Sequence, residues 1–183
     1  MDERIAAHTC TFGEMMRYCF GDIGDPAFRY RLRLAVERIL EMKSCFLNAG
    51  HRKRFYEGLA QNKKASSSLM GQIFLLSAYG SVWNHAKKDL ESDGVVYSAL
   101  EINAREFDVN GYHLFLTAMN LEYVAIVSDL PDLSDEETVD FDVFRVACCA
   151  VAIGVYGLEA VKISEKQRAK RKKHQRKGVR NYE

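Results

Sequence analysis

Nine basic side chains near residue 170 have the type and spacing that could bind phosphate groups. They lie within fifteen positions: Lys166, Arg168, Lys170, Arg171, Lys172, Lys173, Arg176, Lys177 and Arg180. Opposite a nucleic-acid backbone, such cations release condensed counterions and supply affinity without sequence preference. Base stacking has little support there, because Tyr182 is the one Phe, Trp or Tyr residue in residues 162–183. We therefore expect this segment to bind RNA or DNA without reading a specific sequence.

Three other roles of the same segment stay open. It could be a solvated extension, it could fold onto an acidic stretch of the same chain, or it could lie on an anionic membrane surface. The acidic stretch has seven carboxylates between Asp129 and Asp142 and no basic residue. Because the basic segment has no apolar periodicity to bury, we expect it to be disordered or a solvated helical extension when free.

The acidic stretch does not have the pattern of a calcium-binding loop. The spacing of its carboxylates differs from that of an EF-hand loop, as Asp129, Asp132, Asp135 and Asp140 show. The glycine that an EF-hand loop requires is also missing. We instead expect Asp135, Glu136 and Glu137 to lie in the first turn of a helix, where carboxylates interact favourably with the helix dipole.

A zinc site is not predicted either. Only three candidate zinc ligands lie near one another in sequence: His8, Cys10 and Cys19. The next candidates, Cys45 and His51, are remote in sequence. Zinc needs four ligands, and the chain has no C-x-x-C pair. We predict no metal and no other cofactor.

The cysteines and the apolar segments indicate a cytoplasmic protein. The chain has five cysteines, an odd number, and Cys148 and Cys149 are adjacent in its most apolar run. This usage favours reduced, buried thiols over a disulfide framework. The run itself, residues 146–158, is shorter than the roughly 18 residues of a membrane span. The first residues, MDERIAAHTCTF, do not have the pattern of a secretory signal.

A polar stripe on an apolar segment is the one place that suggests catalysis. His113, Thr117 and Asn120 follow helical spacing, as a ligand-binding or proton-transfer site would. We predict a hydrogen-bonded surface stripe instead, because no carboxylate or nucleophile recurs beside it in sequence. Phosphate-binding glycine loops, G-x-S-x-G and H-E-x-x-H are absent. The protein is therefore predicted not to be an enzyme, with no catalytic residues.

Two further groups of basic residues could add a phosphate-contacting surface. The first group is His51, Arg52, Lys53, Arg54, Lys63 and Lys64. The second group precedes it and consists of Arg29, Arg31, Arg33 and Arg38. If the helices that contain them pack side by side, their outer faces would form one basic surface. The alternative is ordinary solvated charge, diluted by Glu37, Glu41 and Glu57.

Charge divides the chain into two parts. Residues 162–183 contain ten Lys and Arg against two Glu, which leaves 16 Lys and Arg against 23 Asp and Glu for residues 1–161. A net charge of +1 thus hides an acidic body and a basic tail. We predict a helical domain at residues 1–161 and a basic tail at residues 162–183.

The elements that would position these residues are helices. Asp25 and Pro26 are typical of a helix start, and Arg33 and Glu37 are spaced to pair on its outer face. Caps are also predicted at Asn48, for a short helix, and at Ser66–Ser68, for a long helix that continues to Lys87.

The second half of the chain contains one ambiguous segment and one clear one. GVVYSALEINAREF fits a helix or a strand, and the next helix is expected from Tyr112. Ser134 and Glu137 fit a capping box, followed by a helix to Gly157 that begins there or restarts at Asp140. Between Asp142 and Glu159 the helix has one charged residue, Arg145. A helix with so little charge should lie at the centre of the fold. The predicted architecture is an all-α, irregular bundle of about six or seven helices.

Two phrases of the sequence resemble a known family. FLNAGHRKRFYEGL, with Phe46, Leu47, Asn48 and His51, and the later DFDVFRVACCAVAIGVYG are similar to small, mostly helical, uncharacterised proteins of low-GC Gram-positive bacteria and their phages. The resemblance covers residues 45–160 and does not include the basic tail. It implies a phage or mobile-element accessory protein, a setting in which small inhibitors of host defence also occur.

The leading hypothesis is a non-enzymatic accessory protein that contacts nucleic acid through its basic tail. The alternatives are a protein-binding inhibitor of a bacterial defence nuclease, similar to an anti-CRISPR protein, and a structural or interaction protein. In the inhibitor, the acidic body would mimic nucleic acid and the partner would be a bacterial nucleoprotein complex.

Overall fold

A computed structural model of the protein describes residues 2–6, 9–90, 94–122, 133 and 135–165. Within these ranges the regular structure is helical, apart from an isolated antiparallel bridge between Leu90 and Val95. The helices are α1 (Asp2–Ala6), α2 (Phe12–Cys19), α3 (Pro26–Met42), α4 (Ala49–Gln61), α5 (Ser67–Leu76), α6 (Gly80–Ala86), α7 (Tyr97–Ala104), α8 (Val109–Glu122), α9 (Phe141–Tyr156) and α10 (Leu158–Glu165). The prediction of an all-helical fold is confirmed.

The predicted caps of three helices are confirmed. The side-chain oxygens of Asp25, Asn48 and Ser66 each accept a hydrogen bond from the backbone N–H three residues later, at 2.6, 2.9 and 3.1 Å. These bonds satisfy donors that have no partner inside the helix, so they fix where α3, α4 and α5 begin. The cap of a fourth helix was not predicted from the sequence: Thr11 and Glu14 form a capping box at the N-terminus of α2.

The predicted number of helices is not confirmed, because the segment expected as one long helix from Ser66 to Lys87 is broken. Helix α5 ends at Leu76 and α6 begins at Gly80. The break is stabilised from outside the segment, since the guanidinium of Arg54 donates to the carbonyl oxygens of Ser77 and Ala78 at 2.8 and 2.7 Å. The ambiguous segment GVVYSALEINAREF is helical from Tyr97, in α7.

The centre of the fold is the contact between α5 and α9. All side chains of α9 from Val143 to Ala150 are buried, and α9 also contacts α2, α3 and α8. The two helices approach closely at Gly71, where an added Cβ would lie 2.8 Å from the carbonyl oxygen of Ala150. The prediction that this apolar helix lies centrally is confirmed.

The start of α9 differs from one expectation. The helix begins at Phe141 with Asp140 at its N-cap, so the predicted restart at Asp140 is confirmed. The prediction that Asp135, Glu136 and Glu137 lie in its first turn is wrong, because they precede the helix. There the N–H of Glu137 donates to the Asp135 carboxylate at 2.9 Å, in a local turn. Ser134 lies outside the described residues.

A glycine reverses the chain after α9. Gly157 has φ of +59° and ψ of −147°, a conformation that L side chains rarely adopt, and the following helix α10 is bent by 120° from α9. Helix α10 continues to Glu165, with Ile163 and Ser164 buried. The packed helix therefore extends across residues 161 and 162, between which the charge pattern predicts the boundary of domain and tail.

Candidate nucleic-acid interface

The nine basic residues predicted to bind nucleic acid lie outside the described residues. They are Lys166, Arg168, Lys170, Arg171, Lys172, Lys173, Arg176, Lys177 and Arg180. The structure describes the chain up to the residue before them. Glu165, the last described residue, forms an ion pair with Arg52 of α4 at 2.9 Å.

His51 does not belong to a basic surface. Its ring is fully buried between the rings of Phe46 and Phe74. Its Nδ1 accepts a hydrogen bond from the N–H of Leu47 at 3.2 Å, and its Nε2 lies 2.9 Å from the carbonyl oxygen of Phe74. Burial lowers the pKa of His51 to about 3, so the ring is neutral. Its assignment to a phosphate-contacting cluster is wrong.

The arginines of α4 are bonded within the protein. Arg54 holds the end of α5, and burial lowers its pKa from the usual value. Arg52 pairs with Glu165, and its guanidinium carbon lies 5.7 Å from the ring centre of Tyr56. These contacts reduce the charge that α4 presents to a ligand.

The lysines of the same group are more exposed. Lys53 lies 3.7 Å from Glu57 in an exposed pair, which contributes little to stability. Lys63 and Lys64 are exposed and form no ion pair with any residue that the structure describes. In the first basic group, Lys63 and Lys64 are thus exposed to solvent without an ion-pair partner in the described part of the chain.

The arginines of the second basic group also differ in burial. Arg31 is buried and donates to the carbonyl oxygens of Leu133 and Asp135 at 2.9 and 3.2 Å, and to that of Val139. Its guanidinium carbon lies 4.9 Å from the ring centre of Phe144. The assignment of Arg31 to an outer face is therefore wrong: it ties α3 to the segment before α9.

Two other arginines of α3, Arg29 and Arg33, line a groove between α2 and α3. The groove has a volume of about 560 Å³. Its lining consists of Gly13, Met16, Arg17, Phe20, Gly21, Arg29, Leu32, Arg33, Val36 and Glu37. We call this feature the α2–α3 groove. It joins apolar side chains to three arginines and one carboxylate, so its chemistry favours a ligand that is both apolar and anionic.

The three arginines of the α2–α3 groove have fewer contacts within the protein than Arg52 and Arg54 of α4. Arg29 donates through Nε to the carbonyl oxygen of Ile23 at 2.7 Å. Arg17 and Arg33 form no ion pair with any described residue, and both are exposed. The predicted pair of Arg33 with Glu37 is wrong: the guanidinium of Arg33 lies 5.2 Å from the ring centre of Tyr30 instead.

Arg17 was missed because the signal was weak. It is an isolated cation in α2, and only the packing of α2 on α3 places it beside Arg29 and Arg33. The repeat of Arg29 and Arg33 at i and i+4 was the available signal, since it puts both on one helical face. Arg38, the fourth arginine of this group, lies 3.6 Å from Glu41 and does not line the groove.

The polar stripe on α8 has an unexpected neighbour. The hydroxyl of Thr117 donates to the carbonyl oxygen of His113 at 2.7 Å, and Thr117 is buried, so it does not belong to a surface stripe. An open depression of about 600 Å³ is lined by His113 together with Asp135 and Glu137. Carboxylates therefore do lie near His113, contrary to the sequence argument.

The other residues that line this depression are Val109 and Thr138. A threonine hydroxyl acts as a nucleophile when a neighbouring base accepts its proton, and among the described residues no hydrogen bond joins Thr138 to His113. In the described part of the chain, no three His, Cys, Asp or Glu side chains are placed to hold a metal ion.

The five cysteines have the properties of core residues. None of them forms a disulfide, and all except the partly buried Cys19 are buried. Burial raises the pKa of Cys19 and of Cys45 to about 12. Thiols with such a pKa are poor nucleophiles at neutral pH, which agrees with the interpretation of small apolar residues.

No single helix in the described ranges is long and apolar enough to cross a membrane. Helices α9 and α10 meet that test only as a pair, which is bent by 120°. Most side chains of α9 are buried against other helices.

Comparisons of the chain with protein-family models, with curated proteins and with solved structures find no match. The resemblance to a family of phage and Gram-positive proteins stays a hypothesis. Function is therefore argued from the placement of charge and from the α2–α3 groove.

Proposed function

We propose that this protein is a non-enzymatic accessory protein of a phage or another mobile element that contacts nucleic acid. The contacts are made by Lys166, Arg168, Lys170, Arg171, Lys172, Lys173, Arg176, Lys177 and Arg180. The arginines of the α2–α3 groove add to them. Because cations facing phosphates release counterions whatever the bases are, the binding has no sequence preference.

The observation that supports this proposal best is the position of the unpaired arginines. In α4, Arg52 and Arg54 are bonded to groups of the protein itself. In the α2–α3 groove, Arg17 and Arg33 form no ion pair with a described residue and are exposed, on a body whose net charge is negative. Unpaired guanidinium groups grouped in a concave surface are available to phosphates.

The test is a full-length variant in which all nine basic residues of the segment are replaced by glutamine. Removing the segment after Val161 would be a poor test, because Ile163 and Ser164 are buried and their loss would destabilise α10. With a labelled oligonucleotide at about 50 mM salt, we expect the variant to bind on the order of a hundredfold more weakly than the wild type. Fluorescence anisotropy at increasing salt should also give a shallower slope for the variant.

The control is Lys63→Gln/Lys64→Gln, which removes two exposed cations that form no ion pair within the described ranges. It should bind like the wild type. Equal affinity of the nine-residue variant and the wild type, or an affinity that does not depend on salt, would contradict the proposal.

A second candidate function is inhibition of a bacterial defence nuclease by mimicry of nucleic acid. The observation that favours it is the exposure of five carboxylates within eight positions, at Asp135, Glu136, Glu137, Asp140 and Asp142. RNA-guided nucleases hold their nucleic acid in a positively charged channel, to which a row of carboxylates is complementary.

This second candidate is tested by DNA cleavage with a purified RNA-guided nuclease. The wild type should slow cleavage, and Glu136→Gln/Glu137→Gln should relieve the inhibition. The control variant Asp22→Asn/Glu101→Gln removes two exposed carboxylates from other parts of the body and should inhibit like the wild type. Cleavage at the same rate with and without the wild-type protein would exclude this function for the nuclease tested.

A further inference from the structure

The α2–α3 groove has an apolar floor that phosphate binding alone does not require. Of the apolar residues that line it, Val36 and Gly13 are half-buried, Phe20 and Leu32 are only 4% and 8% exposed, and Met16 is fully buried. The floor that a ligand can touch is therefore formed mainly by Val36 and Gly13, which face each other across it. Arg17, Arg29 and Arg33 line the same groove. Phosphate contacts would use the arginines, whereas the half-buried Val36 between them offers an apolar contact in addition.

We infer that this groove binds an unstacked nucleotide of single-stranded nucleic acid. The base lies on the apolar floor, and the adjacent phosphates lie beside Arg17 and Arg33. The inference rests on the proposed function, because it names the form of nucleic acid that the groove selects. The volume of about 560 Å³ is within the range of about 300–1,000 Å³ that small-ligand sites occupy.

A stacked pair next to the groove supplies a flat surface for the same ligand. The guanidinium of Arg33 lies 5.2 Å from the ring centre of Tyr30, and Tyr30 is 53% exposed although it is a large apolar ring. Bases of single strands stack on tyrosine rings and on arginine planes. The Tyr30–Arg33 pair therefore offers a base and its phosphate two contacts within one turn of α3.

Duplex nucleic acid does not fit this combination. Its bases are stacked and paired inside the helix, so it would present phosphates to Arg17 and Arg33 and leave the apolar floor uncovered. An anionic lipid would cover the floor with an acyl chain, but it has no planar group for the Tyr30–Arg33 pair. The arrangement therefore favours a single strand, and lipid binding is measured as a competing outcome.

Gly13 allows the floor to be blocked without a change of charge. An added Cβ at Gly13 would meet only Cγ1 of Val36 within 4 Å, at an ordinary contact distance of 3.6 Å. The backbone thus tolerates a side chain there, and a leucine would extend into the groove. Gly13→Leu tests the floor, whereas Arg17→Gln/Arg33→Gln tests the cations.

The experiment measures the binding of full-length protein to a labelled oligothymidylate and to the matching duplex. The wild type should bind the single strand at least about fivefold more tightly, the lower end of what one stacked base contributes. Gly13→Leu should remove this preference and leave duplex binding unchanged. Arg17→Gln/Arg33→Gln should weaken single-strand binding and make the logarithmic salt slope shallower by about 1.4, or about 0.7 per phosphate contact. Lys63→Gln/Lys64→Gln, which removes the same charge outside the groove, should keep the preference.

The outcomes separate the two proposals. If the wild type binds neither nucleic acid, the proposed function and this inference both fail. If it binds both forms equally, or if Gly13→Leu and Arg17→Gln/Arg33→Gln keep the preference for the single strand, only the inference about the groove fails. Binding to vesicles of anionic phospholipid that Gly13→Leu abolishes, without a single-strand preference, would assign the groove to lipid and overturn the inference.

Discussion

Helix α4 and the α2–α3 groove both contain basic residues, yet the protein uses them in different ways. In α4 the sequence HRKR gives the higher local density of basic residues, but His51 is buried and neutral, Arg54 holds the end of α5, and Arg52 pairs with Glu165. In the groove the arginines come from two helices, and Arg17 and Arg33 have no ion-pair partner among the described residues.

The difference shows that density of basic residues along a sequence does not measure the charge available to a ligand. A cation adjacent to the core finds backbone carbonyls to bind, as Arg54 and Arg31 do. Such a residue is required for stability, because without it those carbonyls would be buried and unpaired. Arg17 and Arg33 of the groove donate to no backbone carbonyl among the described residues, so their replacement should change binding and leave folding intact.

The pH dependence of His51 is the largest effect that this comparison predicts. Burial, together with nearby Arg54 and Arg145, lowers its pKa from 6.5 to about 3. Below about pH 6.5 the unfolded chain takes up a proton that the folded chain does not. The free energy of unfolding should therefore fall as the pH decreases towards 3, by up to about 4 kcal/mol from this residue.

Urea unfolding at a series of pH values measures this effect, with His51→Gln as the reference. The amide of glutamine can donate and accept a hydrogen bond but does not titrate. The stability difference between wild type and variant should shrink as the medium becomes acidic. The same pH dependence in both proteins would mean that His51 is not a buried neutral ring.

Loss of the Arg54 guanidinium should have the next largest effect. Arg54→Met keeps an aliphatic chain but removes both hydrogen bonds to the carbonyl oxygens of Ser77 and Ala78, so we expect a destabilisation of about 3 kcal/mol. Arg33→Met, the matched change in the groove, should alter stability by less than about 0.5 kcal/mol. Chemical denaturation compares the two, and equal losses would show that the groove arginine is also structural.

A pair of glycines sharpens the comparison with smaller effects. In α4, a Cβ at Gly58 would lie 2.8 Å from both Ile73 and Trp83, so Gly58→Ala should cost about 2 kcal/mol. In α2, Gly13→Ala meets only an ordinary contact and should stabilise the protein by about 0.5–1 kcal/mol through helix propensity. Thermal unfolding followed by circular dichroism distinguishes them, and a shift of the same sign in both would contradict the difference in packing.

Sequence alone predicted those features of the fold that depend on neighbouring residues. Asp25, Asn48 and Ser66 cap helices because each side chain reaches a backbone N–H three positions later. The central position of α9 followed from its nearly uncharged sequence, a property of the segment itself. Both features can be deduced from a window shorter than twenty residues.

The features that sequence did not predict depend on residues far apart in the chain. The break between α5 and α6 is held by Arg54, 23 positions before Ser77. The burial of Arg31 depends on carbonyls beyond residue 130, and the α2–α3 groove exists only when two helices are packed together. The nine basic residues of the segment 166–180 lie outside the described residues, so their role stays a prediction.

The contacts of Arg31 have a consequence for how the molecule folds. Its three carbonyl partners lie 102 to 108 positions later in the chain, so none of these bonds can form while only the first half is compact. Contacts of such long range slow folding, because a large loop must close first. The turn that displays Asp135 and Glu137 should thus acquire its shape late, and refolding kinetics of Arg31→Met should identify that step.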